Sequence, residues 1–287
     1  MKVFFPLVPV ILGAILLNSC QNPSVSSLDI VQPVTSSRNA LSNTAPVILE
    51  SARLQYQKST SGIWQARLTG LADLKNLAYG KSLVLHYSVG NSTTPGNGQW
   101  TDIPGTFRSV DSYGYEQWKF ETPWLPLNEI LNFKFALKYT VNGNVYWDNN
   151  TGKDYLVQVG IGFNTGAIYN MNHGVLNNGP VVLDQVKGTF NGSSYGFYFH
   201  VLVKNLSFTK TVKVVYTINN WATQGVLSGT YNSSLENGVE LWTFPGLTLP
   251  TGVKRVKFAL SYDVNGITYW DNNQGANYTF DFDSAEL

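Results

Sequence analysis

A single cysteine among 287 residues, Cys20, excludes any disulfide within the chain. Charge is also scarce: 19 Lys and Arg against 18 Asp and Glu leave a net charge of +1. Such a balance offers no basic surface able to neutralise a run of phosphates, so no nucleic-acid partner is expected. The three histidines, His86, His173 and His200, show no ligand spacing, and no glycine loop follows a strand and opens a helix to cradle phosphate. Neither a metal nor a cofactor is implied. Helical start and stop signals are almost missing. Aromatic residues are abundant instead. At 14% they outnumber charged residues, which stand at 13%, and that is more than a core alone explains.

The first apolar run, from Val3 to Leu17, follows a single Lys and is too short to span a bilayer comfortably. It reads as an export signal over residues 1–19. Leu17-Asn18-Ser19-Cys20 resembles the lipobox of bacterial lipoproteins, which implies cleavage before Cys20 and a lipid anchor on it. Gln21 rather than Asp follows, which by the same resemblance points to the outer membrane. Residues 20–44, rich in Ser, Asn, Pro and Thr, are expected to be the lipidated Cys and a flexible tether.

The rest of the chain is a repeat. Residues 133–159 align without a gap on 256–282, including Lys134-Phe135-Ala136-Leu137 on Lys257-Phe258-Ala259-Leu260 and Tyr146-Trp147-Asp148-Asn149-Asn150 on Tyr269-Trp270-Asp271-Asn272-Asn273. Upstream, Lys75-Asn76-Leu77 answers Lys204-Asn205-Leu206, and Trp118-Lys119-Phe120 answers Trp242-Thr243-Phe244. The first copy carries an insertion near Asn91–Gln99 that reads as a longer loop. The units span 45–160 and 179–284, with a Gly- and Asn-rich linker over 161–178. Apolar residues recur at period two, as in Val256, Phe258, Leu260 and Tyr262, and Asn142-Gly143 and Asn265-Gly266 are hairpin-turn dipeptides. The expected fold is all-β: two tandem immunoglobulin-like β-sandwich modules.

Four readings compete for the repeated Trp-Asp-Asn-Asn. A calcium loop finds oxygen donors in Asp148, Asn149, Asn150 and Asp154, but the second copy has Asn277 in place of Asp154 and keeps one carboxylate. Glycoside hydrolysis needs two carboxylates across a cleft, and each copy repeats only one. The third reading is purely structural, with Asn and Asp building the loop through bonds to backbone and Trp belonging to the core. The fourth is sugar binding: an exposed ring covers the apolar face of a pyranose, and amides pair with its hydroxyls.

The run Val203-Lys204-Asn205-Leu206-x-Phe208-x-Lys210-x-Val212-x-Val214-x-Tyr216-Thr217, then Asn220-Trp221, then Tyr269-Trp270-Asp271-Asn272-Asn273-x-Gly275-x-Asn277-Tyr278, resembles carbohydrate-binding module family 21. That family covers starch- and glycogen-binding modules of amylolytic enzymes and of phosphatase-targeting subunits. The resemblance spans nearly the whole second unit, and the first unit from Phe133 onward. It implies one sugar site at Trp221, Trp270, Asn272, Asn273 and Asn277, answered in the first unit by Trp147, Asn149 and Asn150. Trp100 stands in for Trp221 if the insertion precedes it, and Asp154 replaces the last Asn. A further aromatic of that site in some members falls at Ala136 and Ala259. A possible second site falls at Phe208 and Tyr231, and at Tyr79 and Phe107, which Tyr115 joins; Val239 stands in the corresponding place. Trp118 and Trp242, in mid-strand, are assigned to the core.

The resemblance implies a non-catalytic protein that binds α-1,4-linked glucan, such as starch, glycogen or maltooligosaccharides, and the lipobox-like run places it at the cell surface as an expectation. Its expected partners are the polysaccharide, the membrane through lipid on Cys20, and separate amylolytic enzymes. The alternative is an envelope scaffold whose exposed aromatics bind a protein. Glucan binding requires Trp147 and Trp270 exposed beside the amides, whereas a scaffold packs them away. Arg255-Val256-Lys257-Phe258 fits a short phosphatase-docking pattern, but a docking motif needs a free extended segment and Phe258 lies in an alternating run.

Overall fold

Residues 45–90, 98–111, 114–127, 132–158, 168–171 and 174–281 are described in a computed structural model of the chain. The expected export signal, Cys20, the tether and most of the inserted loop lie outside the described residues.

The first module contains β1 (Val47–Lys58), β2 (Trp64–Lys75), β3 (Lys81–Gly90), β4 (Thr101–Pro104), β5 (Thr106–Val110), β6 (Tyr115–Glu121), β7 (Leu125–Pro126), β8 (Asn132–Val141), β9 (Asn144–Asp148) and β10 (Tyr155–Gln158). Two short strands follow, β11 (Ile168–Met171) and β12 (Gly174–Leu176). The second module repeats the set as β13 (Val181–Phe190), β14 (Ser194–Lys204), β15 (Lys210–Thr217), β16 (Gly225–Ser228), β17 (Thr230–Ser234), β18 (Val239–Thr243), β19 (Leu247–Pro250), β20 (Arg255–Val264), β21 (Ile267–Asp271) and β22 (Tyr278–Asp281). Single 3-10 turns are the only helical elements among the described residues.

Each module is two antiparallel sheets face to face. In the first they run β12-β1-β2-β6-β5 and β10-β8-β3-β4, and in the second β11-β13-β14-β18-β17 and β16-β15-β20-β21. The period-two pattern is what sandwiches them: Val256, Phe258, Leu260 and Tyr262 all face inward and are buried, as are Phe133, Phe135, Leu137 and Tyr139. Phe258 stacks on Tyr278 with centroids 5.0 Å apart, and Phe135 on Tyr155 at 5.3 Å. Even irregularities repeat, with a bulge at Leu49/Ser51 matched at Leu183/Gln185 and one at Phe107/Ser109 matched at Tyr231/Ser233. The phosphatase-docking pattern is core strand: Val256 and Phe258 are fully buried and paired to β22, so no free segment exists.

The segment read as a linker carries the two extra strands. β11 pairs with β13 of the second module and β12 with β1 of the first. Leu176 is buried with Val182, Leu202 and Val239 on the second module, while the amides of Asn177 and Gly179 donate to Glu50 O. The connection is therefore stitched to both modules.

Candidate functional site

The Trp-Asp-Asn-Asn segments end β9 and β21 and open a tight loop. Its backbone explains the amides. Asn150, Thr151 and Asp154 have positive φ, as do Asn273, Gln274 and Asn277, and Asn and Asp tolerate that region better than other side chains. Asn149 Oδ1 accepts from Gly152 N at 3.0 Å and Asn272 Oδ1 from Gly275 N at 2.9 Å. Asn150 Nδ2 donates to Asp154 O, and Asn273 Nδ2 to Asn277 O. The Asp anchors the loop to the first strand of its own module: Asp148 Oδ2 accepts from Leu49 N at 2.5 Å and Asp271 Oδ2 from Leu183 N at 2.8 Å, each at the bulge. Tyr155 and Tyr278 donate to the same carboxylates. Burial, and then the adjacent carboxylate, push the Tyr155 phenol far above its ordinary value.

The outer face of β3 and β8 in the first module carries a cluster of rings. Trp100 is 39% exposed and Trp147 47%. Between them stands His86, stacked on Trp100 at 4.5 Å with a 6° interplanar angle and edge-on to Trp147 at 5.5 Å and 76°. The two indoles therefore stand nearly perpendicular. Lys134 Nζ lies 5.9 Å from the Trp100 ring and Lys138 Nζ 5.8 Å from the Trp147 ring. Gly98 brings the chain back to β3 just before Trp100: its N donates to Val89 O, and a Cβ there would meet that oxygen at 2.6 Å.

The second module differs. Trp221 follows Asn220 at the end of β15, both at positive φ, and its N donates to Thr217 Oγ1 at 2.9 Å. Trp221 and Trp270 are half-buried, and Trp270 lines a narrow crevice against Glu50, Arg53 and Arg108 of the first module. Asn273 Oδ1 accepts from Arg53 Nη2 and from Gln55 Nε2, and the Arg53 guanidinium lies 4.7 Å from the Tyr278 ring centroid. Gln274 Nε2 reaches Thr69 Oγ1 at 3.3 Å. Both polar atoms of Asn273 are thus engaged by protein. Asn272 is 2% exposed; Asn277 is also buried, and its Oδ1 has no hydrogen-bond partner among the described residues.

A second feature involves the residues around Phe208 and Tyr231 and their counterparts in the first module. In the second module it is a groove of about 580 Å³ lined by Asn205, Phe208, Lys210, Tyr231, Glu240 and Trp242 among others. Phe208 is 100% exposed, and Tyr231 meets Trp242 edge-on at 6.4 Å. Lys210 bridges Asn205 and Glu240, which accepts the Trp242 indole N–H at 3.0 Å. The first module repeats each part: Tyr79 is exposed, Phe107 meets Trp118 edge-on, Tyr115 is half-buried, and Lys81 bridges Asn76 and Glu116. Trp118 and Trp242 pack against the core by one side only, and Trp242 forms groove wall with the other. Sequence reasoning missed that role. The signal was the candidate aromatics themselves, since Phe107 pairs in register with Trp118 and Tyr231 with Trp242.

Exposed rings on the outer faces of paired β-sandwiches are the mark of a binding module. The chain belongs to the carbohydrate/starch-binding module family 21, whose family model matches residues 42–158 and 176–281. Among relatives, protein phosphatase 1 regulatory subunit 3B of Danio rerio is 43% identical over 82 residues, 27% of this chain and 28% of that protein. Glycogen-binding subunit 76A of Drosophila melanogaster is 34% identical over 34% of this chain and 14% of that protein. Glucoamylase 1 of Rhizopus oryzae is 35% identical over 31% of this chain and 14% of that enzyme. The chain thus covers under a third of each of these relatives. The starch-binding domain of Rhizopus oryzae glucoamylase, solved in complex with β-cyclodextrin and maltoheptaose, aligns at 30% identity over 41% of this chain and 95% of that one, with a TM-score of 0.28.

Proposed function

We propose that the chain is a non-catalytic binder of α-1,4-linked glucan, such as starch, glycogen or maltooligosaccharides, held at the cell surface by lipid on Cys20. The ring geometry of the first module is the observation that carries this reading. A β-1,4-glucan is a flat ribbon that lies on coplanar rings. An α-1,4 chain curves, turning successive sugar faces, and suits two indoles nearly at right angles. Asn150, in the loop that follows Trp147 and with its Nδ2 held by Asp154 O, offers its Oδ1 as a hydroxyl partner. The edge groove of the second module, with Phe208, Tyr231 and the Lys210–Glu240 pair, and the matching Tyr79, Phe107 and Lys81–Glu116 of the first, supply a second contact in each module. The export signal and lipobox-like run support the surface location, and a capture role for separate amylolytic enzymes follows from it.

Calorimetric titration with maltoheptaose, with cellohexaose as control, on wild type and on Trp147→Ala/Trp270→Ala, tests the reading. Saturable heat with the α-glucan alone, reduced in the folded double variant to what the edge contacts retain, is expected. No heat with either sugar sinks the glucan assignment and leaves the fold standing.

A further inference from the structure

We propose that His86 is a positioning residue of the first module: it sets the angle between the Trp100 and Trp147 indoles and so governs which curvature of glucan chain the platform accepts. The inference rests on the glucan reading above. His86 stands directly opposite Ala136 across β3 and β8, on the outer face. Ala136 is too small to fill the space beside it, and the imidazole does so. The ring is held from three directions. Trp100 lies parallel to it, Trp147 meets it edge-on, and Asp102 on the neighbouring β4 binds its Nδ1 at 2.5 Å. A ring fixed by a hydrogen bond at its edge cannot rotate, and the indole stacked on it inherits that orientation. Both indoles thereby stay exposed in part, Trp100 at 39% and Trp147 at 47%, instead of collapsing onto Ala136.

The second module carries no such ring. Its equivalent pair is Val215 opposite Ala259, both buried, so an aliphatic side chain takes the place of the imidazole. The two modules are therefore built differently here, and among the described residues this three-ring cluster belongs to the first.

Indole Nε1–H resonances of Trp100 and Trp147, followed in the full chain during titration with maltoheptaose, read this platform separately from the second module. His86→Val, which installs the second module's residue, is expected to weaken binding read at Trp100 and Trp147 by about two- to tenfold, the range of one lost aromatic pair. The Trp221 signal is expected to titrate as before. The variant also narrows the preference for maltoheptaose over cellohexaose, which a loss of stability alone does not do. His86→Phe keeps a ring over Ala136 and is expected to recover most of the affinity, and Asp102→Asn, which loosens the imidazole, to lose part of it. If His86→Val folds and binds like wild type, or His86→Phe fails to rescue, the positioning role is wrong while the glucan reading stands. If maltoheptaose moves neither indole signal in wild type, the glucan reading of this platform fails and the inference with it.

Discussion

Asp271 holds Leu183 across the sandwich: its Oδ2 accepts the Leu183 amide at 2.8 Å, at the bulge of β13, and the Tyr278 phenol at 2.7 Å. The pairing of Asp148 with Leu49 and Tyr155 is the same device in the first module. The repeated Asp is thus a structural fixture that ties the amide loop to the first strand. Replacing it by Ala leaves a backbone donor and a buried phenol without their acceptor. Asp271→Ala is expected to cost about 2–4 kcal/mol in urea unfolding. Asp271→Asn retains one acceptor and is expected to cost less.

Phe208 supports a cleaner separation of binding from folding. It is fully exposed beside the edge groove, so Phe208→Ala is expected to change stability by no more than about 0.5 kcal/mol. Its affinity for maltoheptaose is expected to fall about two- to tenfold at the groove. Equal losses of stability and affinity would place the ring in the fold instead of in a site.

Much of this was legible in the sequence because it is local. The period-two runs and the repeat announce two all-β modules, and the Asn-Gly pairs are turns, with positive φ at Asn142, Gly143, Asn265 and Gly266. The loop residues beside Trp147 and Trp270 read alike because their immediate neighbours are alike. Their surroundings are not. The partner that engages Asn273 is Arg53, 220 positions away, and no local pattern connects them. The strands of the linker were hidden for the same reason, since β11 and β12 are short and gain their hydrogen bonds from different modules. His86 reads as an ordinary strand residue until the register sets it opposite the small Ala136.

Alkaline pH probes the buried phenols. Tyr262 is fully buried and donates to Lys204 O at 2.6 Å, and burial pushes its pKa up to about 12. The folded state therefore holds this proton at pH values where the unfolded chain, with an ordinary phenol near 10, has released it. The contribution is fully present below about pH 10 and is lost as pH rises toward about 12. Urea midpoints are expected to fall across that window, and Tyr262→Phe is expected to flatten the fall. An unchanged slope in the variant would assign the alkaline loss to other groups.

Arg53 bears on what two modules achieve together. It is a buried residue of the first module whose guanidinium binds Asn273 and covers Tyr278 of the second, so it joins the two units besides the strands between them. Two sites held at a fixed separation see each other's ligand at a set effective concentration, which benefits a polymer and not a short oligosaccharide. Arg53→Ala is expected to leave maltoheptaose binding at Trp100 and Trp147 unchanged, to weaken the retention of glycogen, and to split the calorimetric unfolding of the chain into two transitions. A single transition with full glycogen retention would mean that β11, β12 and the Leu176 cluster suffice to hold the modules in register. A loss of maltoheptaose binding at Trp100 would instead mean that the contact shapes the first platform directly.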